Sequence, residues 1–308
     1  MSVIIGIDVG GSTTKIVGFR KNSERDCYDL ITPQFVRADD QITSAYGAFG
    51  KFTDDHAISL KEIDRVMITG VGASFIKRDL YGLECSHVPE FTSIGRGGLY
   101  ISGLSEALVV SMGTGTALVH ARKDGKMRYL GGTGIGGGTL MGLSHLLLKA
   151  DSVEHITEMA EGGDLSRIDL RISDITPKGE EAALASDLTA SNFGNVSDIA
   201  TKADIAAGIL NAVLETVGMV SVFAARSVGA KNVVLTGSLT RISVCPGKFK
   251  QFNEMYAADG MKFSIPSLSE FATVIGTALC GLSPKGHGSA LAPHATDLRK
   301  RERQVPLS

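Results

Sequence analysis

The sequence predicts an α/β protein of two related halves, an expectation that rests on three strand-and-glycine segments spread along its 308 residues. Val3 to Val9 is a near-continuous apolar run, the pattern of a strand buried on both faces, and it carries a single carboxylate, Asp8. The turn Gly10-Gly11-Ser12-Thr13-Thr14-Lys15 follows. Ala107 to Val119 repeats the design as an apolar strand, the turn Gly113-Thr114-Gly115-Thr116, and a second apolar strand. Asn232 to Leu239 repeats its first half and carries Gly237-Ser238. Glycine pairs let backbone N–H groups approach an anion closely, hydroxyls add donors and Lys15 adds positive charge, so these turns read as phosphate sites. Asp8 would repel a bare phosphate but suits a hard cation, through bound water. Two halves closing on one metal–nucleotide complex are therefore expected.

Length sets a prior of two domains. The 31 Lys and Arg residues nearly cancel the 33 Asp and Glu, which disfavours nucleic acid or an anionic membrane as partner. Small molecules and further copies of the chain are the expected partners. Cys27, Cys85, Cys245 and Cys280 show none of the paired spacings of zinc or redox sites, which fits a reducing compartment. The opening segment enters its strand at once, with no basic n-region or cleavage site, so a cytoplasmic location is expected. Ile205 to Ala225 is long enough to raise the question of a membrane span, but Asn211, Glu215 and Thr216 interrupt it and a buried helix is the expectation.

In chain order, Thr14 to Arg20 and Asp26 to Thr32 complete an antiparallel meander with the first strand, and Ser44 to Phe52 is a helix. Arg65 to Thr69 is a strand whose following loop, Gly70 to Ser74, lies at the carboxyl edge of a sheet, where open α/β sheets bind ligands. Pro89 restricts Val88 to extended geometry, which sets Glu90 at a strand end or a helix start. A carboxylate there either complements the helix dipole or serves as a general base. Arg96 is either a surface residue or a ligand for a carboxylate or phosphate. Gly132, Gly134 and Gly137 spell G-x-G-x-x-G, but a dinucleotide fingerprint needs a second strand ending in an acid, and Val153 to Ala160 reads as helix. The glycine run opening the helix Leu140 to Leu148 still makes an anion site, with Gly137 and Gly138 expected to let N–H groups at the start of that helix reach phosphates. Gly142-Leu143-Ser144-His145-Leu146 lacks the final glycine of a nucleophile elbow and reads as helix. Glu161 to Asp187 reads as a polar surface excursion and Leu188 to Asn195 as a tight loop. A helix from Ile205 to Arg226, a strand from Asn232 to Leu235 and a last helix from Glu270 to Leu282 follow. Pro284 to Ser308 lacks apolar periodicity and is expected to be disordered.

The motifs together resemble the type II pantothenate kinases over roughly Ile4 to Leu282. The resemblance rests on Asp8 to Lys15, Glu90-Phe91, Gly113 to Thr116, Gly131 to Gly142, Ala190-Ser191-Asn192-Phe193-Gly194-Asn195 and Gly237-Ser238. The first and third occur across sugar kinases and actin-like ATPases; the long glycine run and the Ala190 to Asn195 segment are more specific. The resemblance implies two actin-like (ribonuclease H-like) domains with an ATP cleft between them: 1–106 with the first phosphate turn and Glu90, 107–283 with the glycine-rich loops, and a 284–308 tail. It implies transfer of the γ-phosphoryl of MgATP to pantothenate, as the first step of coenzyme A biosynthesis. Glu90 matches the family's base; Asp8 would hold Mg²⁺. Asp8, Gly10, Gly11, Ser12, Thr13, Lys15, Gly113, Thr114, Gly115, Thr116, Gly136, Gly137, Gly138, Thr139, Leu140, Met141, Gly237 and Ser238 are the expected nucleotide contacts. Glu90, Arg96, Thr114 and Arg128 are the expected substrate contacts. The chain departs from the family at Tyr129, where arginine is common, and at Ala117, where a hydroxyl residue sometimes stands. A homodimer is expected, with the helix Ile205 to Arg226 as a candidate contact because it is apolar over more than one face. The rival readings are an N-acetylhexosamine kinase, whose aspartate base and cysteine cluster are not found here, and an activator ATPase of acyl-CoA dehydratases, which needs a cysteine beside its central glycine loop.

Overall fold

Alternation along the first strand fixes how the first half is built. In β1 (Val3–Val9), Val3, Ile5, Ile7 and Val9 face one layer, while Ile4 and Gly6 face the other. The computed structural model describes residues 2–11, 13–37, 40–176 and 188–282. Ser12, the end of the Glu161 to Asp187 excursion and the 284–308 tail lie outside the described residues. β2 (Thr13–Asn22) pairs antiparallel with β1, and β3 (Cys27–Arg37) pairs antiparallel with β2. α1 (Gln41–Asp55), capped by the Asp40 carboxylate, buries Ala45, Ala48, Phe49 and Phe52 against the odd face of β1. β4 (Ile63–Thr69) and β5 (Cys85–His87) add in parallel, giving the order β3-β2-β1-β4-β5.

α2 (Glu90–Ser102) leads to the second half, where the same order recurs. β6 (Glu106–Met112), β7 (Thr116–Arg122) and β8 (Met127–Thr133) form an antiparallel meander. The glycine run then opens α3 (Gly137–Leu148), followed by α4 (Val153–Met159). β9 (Leu170–Arg171), the short α5 (Ile172–Ile175) and β10 (Thr189–Ser191) form a small excursion. α6 (Lys202–Val228) begins with a capping box at Thr201 and Asp204 and ends at Gly229 in the left-handed region. β11 (Asn232–Thr236), α7 (Cys245–Met255) and β12 (Lys262–Ser264) complete the sheet β12-β11-β6-β7-β8, the mirror listing of the first. Two such mixed sheets flanked by helices are the actin-like arrangement. α8 (Ala272–Cys280) comes last.

The two halves are joined by exchanged helices. α8 follows the second sheet in sequence but covers the even face of the first, with Val274, Ile275 and Ala278 against Ile4, Val17, Phe19 and Met67. α2 precedes the second sheet and covers its near face, with Ile94 and Leu99 against Val109, Val119, Ala121 and Val234. α2 and α8 cross at glycines: a Cβ at Gly97 would strike the Ala272 carbonyl, and one at Gly276 the Ser93 carbonyl. On the far face of the second sheet, α6 packs through Ile209, Val213 and Val217 against Leu108, Val110 and Leu235. α6 is long and apolar enough to cross a membrane, but 61% of its apolar window is buried inside the structure.

Several elements differ from expectation. β5, β8, α7 and β12 were not legible as elements. β8 carries Gly131 and Gly132, poor strand formers, and exists because β7 pairs with it. α7 opens with Pro246-Gly247, where proline suits a first turn but glycine hides the helix signal. The expected loop Leu188 to Asn195 contains β10. The expected last helix begins later, since Ser269–Phe271 forms a 3₁₀ turn before α8.

Candidate active site

The even row of β1 ends in Asp8, which therefore emerges on the α8 side at the carboxyl edge of the first sheet. Its cross-strand partner is Lys15. Lys15 Nζ donates to the Glu270 carbonyl at 2.8 Å and to Ser238 Oγ at 3.2 Å, tying the first turn to the second half. Burial pushes the Asp8 carboxyl up from its ordinary value, and Lys15 pulls it back. Burial pushes the Lys15 ammonium down, Asp8 and Glu270 pull it up, and Arg241 adds to the downward push. Gly70 holds φ at +91°, and a Cβ there would stand 2.6 Å from Asp8 Oδ1, so only glycine lets the β4 turn close around that carboxylate.

Glu90 reaches the same edge from β5. Val88 N–H donates to the Ile68 carbonyl and the Thr69 hydroxyl donates to the Val88 carbonyl, which pins the segment beside the end of β4. Thr69 is itself the register partner of Asp8. Glu90 is the first residue of α2 and is exposed. Pro89 stands at the cap position and makes no side-chain cap bond, and among the described residues the Glu90 carboxylate has no hydrogen bond or ion pair. Partial desolvation raises its pKa, and the Asp8 charge raises it further.

The second half repeats the edge with different chemistry. Ser111 occupies the place in β6 that Asp8 holds in β1, and Gly113 N–H closes its turn on Gly115 O at 2.9 Å as Gly10 N–H closes on Thr13 O at 3.0 Å. Gly237, like Gly70, caps a 3₁₀ turn with φ near +92°, and a Cβ there would meet the Met112 carbonyl at 2.5 Å. Its N–H donates to the Ser269 carbonyl. The Thr116 hydroxyl donates to Ile135 O and the Thr139 hydroxyl to Gly134 O, both at 2.8 Å, folding the glycine run over the turn.

Three expectations are corrected. The N–H groups of Gly137 and Gly138 do not point to an open site: they donate to the Gly113 and Thr114 carbonyls at 2.8 Å. Glycine is needed there for close approach, since a Cβ on Gly138 would lie 3.0 Å from Thr114 Cγ2. Leu140 is fully buried in the core under α6, so its side chain is not available to a ligand, while Met141 is partly buried against the same cluster. Arg128 pairs with His120, whose register places it on the Leu108 face, the α6 side of the sheet. Glu90 lies on the other side. Its neighbour Tyr129 pairs with Val119 on the α2 face and stacks on Phe91, with centroids 4.0 Å apart and an interplanar angle of 11°. Arg96 is half-buried and its charge acts on the Cys280 thiol of α8. Burial raises that thiol's pKa and Arg96 opposes it.

The structure thus gathers Asp8, Lys15, Glu90 and Ser238 with the Gly10 and Gly113 turns. Sequence reasoning missed Glu270, which meets Lys15 through its carbonyl and its charge from the far end of the chain. It also missed Arg241, whose guanidinium lies 5.4 Å from the Phe35 ring centroid across the two halves. Gly70 was legible as a loop glycine at the sheet edge, and the repeated Thr-Gly at 69–70 and 236–237 was the available signal.

Comparison with known proteins fits this geometry. The Fumble family model matches residues 102–246. The type II pantothenate kinase of Staphylococcus aureus strain USA300 is 29% identical over 244 residues, covering 76% of this chain and 84% of that protein. The chain is homologous to the type II pantothenate kinase family. The enzyme of the bovine strain RF122 / ET3-1 is 28% identical over the same length. Among solved structures, the activator of the 2-hydroxyisocaproyl-CoA dehydratase from Clostridium difficile, with bound ADPNP, has a TM-score of 0.62 at 15% identity and covers 99% of each chain. Component A of the Acidaminococcus fermentans (R)-2-hydroxyglutaryl-CoA dehydratase has a TM-score of 0.60 at 15% identity, covering 90% of this chain and 96% of that one. At that identity the two structures support the actin-like fold alone, whereas the pantothenate kinase likeness lies in the sequence of this chain.

Proposed function

We propose that the chain is an ATP-dependent kinase that phosphorylates the primary hydroxyl of pantothenate, the first step of coenzyme A biosynthesis, with Glu90 as general base. The observation that carries this reading is the Glu90 carboxylate, which heads α2 without a partner among the described residues, beside Asp8, with a raised pKa. A capping glutamate would be engaged with backbone; this one is free to take a proton. A primary alcohol is a poor nucleophile at neutral pH, and a carboxylate in hydrogen-bond reach contributes about 10²–10⁴-fold by accepting its proton as attack proceeds.

The residues fit MgATP. A Cβ at Gly11 or Gly134 would meet no atom within 4 Å, which leaves space at both glycine loops. Lys15, on the strand that leaves the first loop, donates to Ser238 of the second half. Among the described residues no three His, Cys, Asp or Glu side chains converge, so a cation beside Asp8 would draw most of its ligands from water and phosphate oxygens. MgATP, when bound, supplies the phosphoryl group. Asp8 then orients a hydrated cation, Lys15 offsets negative charge, the two turns position the phosphates, and Glu90 Oε accepts the acceptor's proton. In this reading the 1–106 and 107–283 halves form the ATP cleft in a cytoplasmic enzyme. The homodimer would use the solvent-facing side of α6, where Phe223 is exposed.

ADP release by the purified chain with pantothenate, N-acetylglucosamine or no acceptor tests the reading. Release that depends on pantothenate is expected. Equal release without acceptor, or preference for the sugar, refutes it.

A further inference from the structure

Tyr129 links the two places between which an acceptor must sit. Its ring lies flat on Phe91, the residue after Glu90. Its hydroxyl lies 3.1 Å from where a Cβ would stand on Gly132, opposite Ala117 in β7 and just beyond the Gly113 to Thr116 turn. One side chain therefore runs from beside the base towards the phosphate turn, along the face of the second sheet that α2 covers. The pair is a built surface that remains open, with Phe91 39% and Tyr129 47% exposed. It offers no cation. Arg128 faces the opposite side of the sheet, and Lys15 is engaged with Ser238 and Glu270.

Flat aromatic faces favour apolar carbon over heavily hydrated groups. In pantothenate the carbon bearing the reacting hydroxyl is bonded to a quaternary carbon with two methyl groups. A hydroxyl held at Glu90 thus carries those methyls to the neighbourhood of Phe91. Resting on the kinase reading above, we propose that the Phe91–Tyr129 stack is the acceptor wall, packing on the two methyls beside the reacting hydroxyl and selecting a branched apolar acceptor over a polyhydroxylated one.

The test compares pantothenate with its analogue lacking both methyls, using full-length wild type, Tyr129→Ala, Phe91→Ala and Tyr129→Phe. A methyl in an apolar pocket is worth about 10–200-fold in specificity. Tyr129→Ala and Phe91→Ala should each raise KM for pantothenate about tenfold or more while KM for ATP stays within about twofold, and the desmethyl analogue should lose little. Tyr129→Phe, which keeps the ring, should recover most of the loss. Both side chains are half-exposed, so truncation opens no core, and unchanged thermal melting confirms it. Unchanged pantothenate KM in both alanine variants, or equal loss with both acceptors, overturns the wall while leaving the kinase standing. Wild type inert toward pantothenate overturns both.

Discussion

Replacing Gly97 by alanine adds one methyl group at the crossing of α2 and α8, and the structure sets its cost. The new Cβ would overlap the Ala272 carbonyl and lie 3.1 Å from the Gly276 nitrogen. Carbon contacts are favourable near 3.5–4.0 Å, so the helices must part. Neither can move alone, because α2 is fastened to the second sheet and α8 to the first. Parting them also stretches the Thr277 to Ser93 hydroxyl bond, now 3.0 Å and buried. Overpacking costs about 1–3 kcal/mol and occasionally more. Backbone against backbone cannot relax by a rotamer change, so about 3 kcal/mol is expected, a fall in Tm of roughly 6–12 °C. Gly47→Ala is the control: in α1 its methyl meets nothing within 4 Å, and removing a helical glycine should stabilise by about 0.5–1 kcal/mol. Circular-dichroism melts of the two variants should move in opposite directions. Gly97→Ala melting at or above wild type would refute the crossing.

Glu90→Gln keeps size but removes basicity, so MgATP affinity should survive while kcat falls about 10²–10⁴-fold; turnover within a fewfold of wild type removes Glu90 from the role. In the nucleotide-free protein the Glu90 carboxyl should titrate above the ordinary glutamate value, and Asp8→Asn should move it to lower pH by removing the second of its two causes, read from the ¹³C carboxyl resonance that Glu90→Gln abolishes. The sign for stability follows: a carboxyl whose folded pKa is raised favours folding below its ordinary value, and that contribution is lost as pH rises through the folded pKa. Gly138→Val should weaken MgATP more than tenfold, now because its side chain would press on Thr114 and lift α3 off the Gly113 turn; calorimetric titration showing wild-type affinity would place the phosphates elsewhere.

The halves were legible because their signals are local. Apolar runs ending in glycine marked β1, β6 and β11, and Pro89 announced that Glu90 would begin something. Long-range facts were not. Whether Arg128 or Tyr129 faces Glu90 depends on the register of β7 against β8 and the bulge near Leu118, which no composition reveals. The N–H groups of Gly137 and Gly138 looked free because the carbonyls that accept them lie a whole hairpin away. Glu270 meets Lys15 through its carbonyl as well as its charge, and the fold that brings a residue 255 positions away onto Lys15 leaves no local signal.

The exchange of α8 has a consequence for synthesis. A ribosome completes the first sheet early, yet the face formed by Ile4, Val17, Phe19 and Met67 gains only partial cover from Val88, Tyr100 and Ile101 until residues 272–280 have been made. The first half thus emerges with an apolar surface that its own sequence cannot fully hide, and nascent chains of intermediate length are where a chaperone would be needed. The last helix is the step that commits the whole chain.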